Sequence, residues 1–85
     1  MKLQWSSEAW EDYLYFQQTD KKIVKRINEL IKDVMRHPFI GTGKPEPLKY
    51  NWAGFWSRRI TQEHRLVYAV ADDVIMIAAC RFHYT

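Results

Sequence analysis

The run Phe55-Trp-Ser-Arg-Arg-Ile-Thr-Gln-Glu-His-Arg-Leu-Val-Tyr-Ala-Val-Ala-Asp-Asp-Val-Ile-Met-Ile-Ala-Ala-Cys-Arg-Phe-His-Tyr84 decides the fold. Three segments rich in β-branched and aromatic residues are divided by two polar breaks, Thr61-Gln62-Glu63 and Asp72-Asp73. That pattern predicts an antiparallel meander. Its middle is apolar, from Leu66 to Val70 and from Val74 to Ile77. Its ends gather Arg58, Arg59, His64, Arg65, Arg81, His83 and Tyr84. A sheet with cations, an imidazole and a phenol at its rim is suited to a phosphate group.

Working outward, the segment before the meander runs from Pro38 to Pro47 and holds Gly41, Gly43 and Pro45. Glycines permit unusual backbone angles and prolines stiffen the path, so such a loop can present one side chain at a fixed place. Leu48-Lys49-Tyr50 is expected to be a short strand. Further back lie two helical patterns. Ser6 is expected to cap the first, with Trp5 and Trp10 placed as a hydrophobic staple. Ala9, Trp10, Tyr13, Leu14 and Phe16 are its expected buried side. Thr19 or Asp20 caps the second helix, where Ile23, Val24, Ile27, Leu30, Ile31 and Val34 form one stripe. Lys21, Lys22, Lys25, Arg26 and Lys32 lie off that stripe, as a solvated face usually does. His37-Pro38 stops the helix. Met1 to Trp5 alternates like a first strand. The expected architecture is α+β: a helical hairpin packed on a twisted, mainly antiparallel sheet, in the order βααββββ.

The chain has 85 residues, a net charge of +3 and 47% hydrophobic residues. That suits one domain over residues 1–85 with a modest core. No apolar run reaches the ~20 residues of a membrane span, and the first residues lack a signal-peptide stretch, so a cytoplasmic home is expected. The single Cys80 precludes an internal disulfide, and no cysteine or histidine pairing suggests zinc. Neither a metal nor another cofactor is expected.

The chemistry-bearing residues fit one reaction class. Glu46 stands between Pro45 and Pro47, with Lys44 and Lys49 nearby; neighbouring cations favour the ionised form that a base needs. Arg59 and Arg65 flank a tight turn, and two close guanidiniums invite a phosphate. A histidine ordinarily titrates near neutrality, so His83 is a candidate to protonate a leaving alkoxide. RNA is cut without metal when a base, a cation and an acid act together, here Glu46, Arg65 and His83. The pairing poses a difficulty. With a two-residue turn at Asp72-Asp73, residue 65 would pair with residue 80, and Arg65 would share a face with Cys80 and Phe82. A bulge, a longer turn or a bend at the chain end would alter this.

The blocks Trp10-Glu11-Asp12-Tyr13-Leu14, Ile27 to Asp33, Gly43 to Lys49, Gly54 to Ile60, His64 to Tyr68 and Cys80 to Tyr84 resemble, in order and over essentially the whole chain, the YoeB-type toxins of the RelE/ParE superfamily. The resemblance implies a microbial-RNase-like α+β fold. It implies an endoribonuclease that cuts messenger RNA in the ribosomal A site, so that the 70S ribosome and mRNA are partners. It implies a cognate antitoxin of the YefM/Phd kind and, often, a homodimer. The family's catalytic positions fall on Glu46, Arg65, His83 and Tyr84, and its RNA-contacting basic positions on Lys49 and Arg59; Lys44 joins these as a third RNA-binding candidate. Thr85 follows the usual terminal tyrosine. The alternatives are a non-enzymatic toxin like the ParE branch, acting on a protein target such as DNA gyrase, and a plain RNA-binding module.

Overall fold

A computed structural model describes residues 1–82 of the chain. The elements are β1 (Lys2–Trp5), α1 (Ser7–Thr19), α2 (Lys21–Arg36), β2 (Glu46–Pro47), β3 (Trp56–Arg59), β4 (Arg65–Ala71) and β5 (Val74–Ala79), with a 3-10 turn over Tyr50–Trp52. The sheet order is β1-β5-β4-β3-β2. All neighbouring pairs are antiparallel except β1 with β5, which is parallel. The helices cover one face. This is the α+β architecture expected from the sequence, and the helix ends follow local rules.

Ser6 caps α1, its hydroxyl accepting from the Ala9 N–H at 3.0 Å. Trp5 meets Trp10 edge-on at 5.7 Å, which is the staple. Asp20 caps α2 by accepting from the Lys22 and Ile23 N–H groups. In α2 the stripe is used as written: Ile27, Leu30, Ile31 and Val34 are buried. They pack with Leu66, Tyr68, Ile75 and Ile77 of the sheet in one core.

Three expectations need correction. In α1 only Ala9 and Phe16 are buried, while Trp10 and Leu14 stay exposed. The helix rests against α2 and β5 along a narrow line, and its flank is left in water. Leu48-Lys49-Tyr50 is not a strand. Pairing falls one step earlier, with Glu46 opposite Ser57 and Pro47 opposite Trp56, and Tyr50 begins the 3-10 turn with φ +57°. Glu46 therefore lies on a sheet edge rather than in a free loop. Pro47, which has no N–H to donate, is tolerated there because an edge strand leaves one side unpaired.

The register between β4 and β5 contains a bulge. Ala71 pairs with Val74 across the two-residue turn, and Tyr68 pairs with Ile77, but Val67 pairs with Ala79. Ala78 is the extra residue. Its carbonyl accepts from the Ser6 hydroxyl at 2.8 Å, and the Ser6 N–H reaches the Ile77 carbonyl at 2.9 Å. One serine thus caps a helix and satisfies the backbone that the bulge leaves without a ladder partner. Beyond the bulge residue 65 does not pair with residue 80: the Arg65 N–H donates to the Phe82 carbonyl at 3.0 Å.

Candidate active site

Directly opposed residues of a ladder share a face, and successive residues alternate. Arg58, Leu66 and Tyr68 point to the helices, since Arg58 binds Asp33 of α2 and the other two lie in the core. Glu46 opposes Ser57, Ser57 opposes Val67, and Arg59 opposes Arg65. These five residues consequently occupy the other, helix-free face. Val67 and Ala79 are buried and give it an apolar floor. Strands lie ~4.8 Å apart and rise ~3.3 Å per residue, which sets the Cα atoms of Glu46 and Arg65 roughly 12 Å apart. Two long side chains can close on one group held across such a gap.

Glu46 is exposed, and its carboxylate makes no hydrogen bond or ion pair among the described residues. Lys44 and Lys49 are exposed beside it, Lys44 with φ +53°. Arg59 projects outward while its backbone is held at both ends: its N–H donates to the Gly43 carbonyl at 2.7 Å, and its carbonyl accepts from Arg26 at 3.1 Å. Arg65 is half-buried. Its Nη1 donates to the carbonyls of Thr61 at 2.6 Å, Gln62 at 3.2 Å and His64 at 3.0 Å. Those bonds turn the guanidinium back over the β3–β4 turn and fix it there. His83 and Tyr84 lie outside the described residues.

The segment that leads to Glu46 is anchored by Arg58, which the sequence offered only as one of the cations at the ends of the meander. Arg58 is fully buried. Its guanidinium donates to Asp33 Oδ2 at 2.5 Å, to the Thr42 carbonyl at 3.1 Å, to the Ile40 carbonyl at 2.9 Å, to the His37 carbonyl, and to the Tyr68 hydroxyl at 3.1 Å. The Tyr68 hydroxyl in turn donates to the Pro38 carbonyl at 2.7 Å. Asp33 also accepts from the Thr42 N–H at 2.9 Å. That backbone bond, and then Arg58, hold the Asp33 carboxyl below the usual carboxylate range. Burial pushes the Tyr68 phenol upward, against the opposing pull of Arg58. The cluster clamps residues 37–42 onto the sheet. Gly41 has φ +119°, and a Cβ there would lie 2.3 Å from Asp33 Oδ2, so the carboxylate fits only against glycine. Only the alternation of Trp56 and Arg58 on one strand face hinted at this role.

Among the described residues no three His, Cys, Asp or Glu side chains gather as metal ligands, and no helix is long and apolar enough to cross a membrane.

A helical hairpin packed on this five-stranded sheet is the RelE-like α+β toxin fold; the YoeB/ParE toxin from Agrobacterium tumefaciens superposes with a TM-score of 0.96 at 52% identity, covering 99% of this chain and 100% of that one. The family described as YoeB-like toxin of bacterial type II toxin-antitoxin system matches residues 5–84, and the chain belongs to that family. Toxin YoeB of Escherichia coli K12 is 74% identical over 84 residues, spanning 99% of this chain and 100% of the relative. Staphylococcus aureus YoeB is also similar, both as a dimer (TM-score 0.92, 55% identity) and in a YoeB–YefM complex (TM-score 0.91, 54% identity), each covering 99% of this chain and 98% of the other.

Proposed function

We propose that this chain is, over residues 1–85, a single toxin domain that cuts messenger RNA in the ribosomal A site and so halts translation. Glu46 takes the proton from a 2′-hydroxyl. The freed oxygen attacks the adjacent phosphorus, and the bond to the 5′-oxygen breaks. His83 gives that oxygen a proton, leaving a 2′,3′-cyclic phosphate and a 5′-hydroxyl. Arg65 faces the phosphate as negative charge builds on it. Tyr84 completes the site, and Lys44, Lys49 and Arg59 hold the flanking RNA backbone. The observation that carries this reading is the shared face of Glu46, Arg59 and Arg65, opposite the helices. A carboxylate with no partner among the described residues can act as a base, and a guanidinium already held by backbone carbonyls needs little reorganisation.

The reading includes a YefM-type antitoxin as partner, as in the S. aureus complex, and a homodimer, as in the S. aureus dimer. The ribosome and mRNA are its working partners, and its compartment is the cytoplasm. Primer extension on a defined messenger, with purified protein, tests it. Cuts are expected only when 70S ribosomes are present, and they vanish for Glu46→Ala and for His83→Ala. Unchanged cutting by both variants overturns the assignment. Loss of DNA synthesis before protein synthesis in induced cells would favour a gyrase-directed toxin instead.

A further inference from the structure

His64 is buried, yet it takes no part in the reaction proposed above. Its Nδ1 accepts the Phe82 N–H at 2.8 Å. A backbone N–H can only donate, so Nδ1 must be unprotonated and the ring proton sits on Nε2. Nε2 lies 3.2 Å from Glu63 Oε1, a partner suited to that proton. The ring is wedged between Phe16 at 5.1 Å and Phe82 at 5.5 Å. Its own backbone is fixed by the β3–β4 turn. The Thr61 hydroxyl accepts from the His64 N–H at 3.0 Å, and the His64 carbonyl accepts from the Ile60 N–H at 3.0 Å.

Phe82 is held at both ends by successive residues of the turn. His64 takes its N–H, and the Arg65 N–H takes hold of its carbonyl at 3.0 Å. Between those bonds Phe82 adopts φ +65°, in the left-handed region that a bulky residue avoids unless its surroundings impose it. The side chain is 53% exposed, with its ring against His64 at 5.5 Å and under the Arg81 guanidinium at 4.8 Å, and it leaves the backbone atoms to other partners. The two hydrogen bonds hold its N–H and its carbonyl on either side of that φ. Phe82 directly precedes His83 in the sequence, and Arg65 is the proposed phosphate partner.

We propose that His64 is a positioning residue: its Nδ1, with the Arg65 N–H, locks Phe82, the residue that precedes the proposed acid in sequence, in the left-handed conformation against the turn that leads into the proposed electrophile. This deepens, and for its catalytic consequence rests on, the nuclease reading. The lock itself is a statement about backbone and tautomer alone.

The test uses the full chain labelled with nitrogen-15, the variants His64→Leu and His64→Asn, and the ribosomal cleavage assay. Leucine fills the space without an acceptor. Asparagine can set an amide oxygen where Nδ1 stood. In the wild type the His64 Nδ1 signal is expected to be that of an unprotonated nitrogen at neutral pH, with the Phe82 amide protected from exchange. Exchange at Phe82 should quicken at least about tenfold in His64→Leu and return toward the wild-type rate in His64→Asn. Turnover should fall about 10- to 100-fold in His64→Leu with KM little changed, as displacement of a catalytic group by about an ångström would cause, and His64→Asn should recover most of it. A proton on Nδ1, or equal Phe82 exchange in wild type and His64→Leu, overturns the lock. Altered exchange with unchanged turnover overturns the positioning role. A wild type that cuts nothing on ribosomes sinks the nuclease reading, while exchange and tautomer still decide the lock.

Discussion

Replacing Arg58 by methionine should be the most damaging single change in the helix-facing side of the sheet. The volume is nearly kept, so packing is a minor term. What is lost is a fully buried cation with five acceptors: Asp33 Oδ2, three loop carbonyls and the Tyr68 hydroxyl. Breaking a buried ion pair by removing one partner costs about 3–5 kcal/mol. Asp33 is 25% exposed and keeps its bond from the Thr42 N–H, which draws the charge term to the lower end. The stranded carbonyls of His37, Ile40 and Thr42 raise it again, at about 1–3 kcal/mol for each that stays dry. Loop opening lets water reach them and limits that addition, so a total of about 3–4 kcal/mol is expected. Small domains hold about 5–15 kcal/mol, and this one is at the small end. With a urea slope of about 1 kcal/mol per molar, the midpoint should fall by about 3–4 M. Equilibrium unfolding followed by tryptophan fluorescence measures this, since Trp56 packs on Phe39 of the clamped loop at 4.8 Å. A loss under about 1 kcal/mol would refute the reasoning, because it would mean that water already satisfies those groups. A double-mutant cycle with Asp33→Asn should show a coupling of about 1–3 kcal/mol.

Other outcomes follow from the same structure. Ser6→Ala removes the α1 cap and the donor to the bulge carbonyl together, and should cost about 2 kcal/mol by urea unfolding. Because the Asp33 carboxyl is held below its ordinary value of 3.8, its contribution is present above about pH 4 and is lost as pH falls through the lowered value. Asp33→Asn should therefore flatten the acid limb of a stability–pH curve. Burial pushes the Cys80 thiol up to about 12, with Asp12 adding to the shift. Alkylation by iodoacetamide at pH 8 should be slow in the native protein and fast in urea. Gly41→Ala should destabilise by forcing Asp33 away from Arg58, seen as a lower thermal midpoint.

Much of the fold is written locally. Ser6 and Asp20 precede their helices with the hydroxyl and carboxylate that free N–H groups require, and α2 carries a single stripe with a basic back. The meander is legible because β-branched runs are cut by short polar breaks at the places where β3, β4 and β5 begin and end. One spacing among the candidate residues was legible: Arg59 and Arg65 oppose each other across the turn. Glu46 was named from its proline frame, although its place on an edge strand was not foreseen.

What the sequence determined by itself is therefore the order of the elements and, β2 apart, their place, because caps, periodicity and turn residues act over a few neighbouring positions. Tertiary structure alone decided the rest. Ser6 could stabilise a bulge at Ala78 only once residues 72 positions apart had met, and that bulge decides which backbone group Arg65 reaches. Arg58 and Arg59 are adjacent and chemically identical, yet one is a buried anchor and the other an exposed cation. Strand alternation separates them, and only the packing of α2 chose which face would be dry.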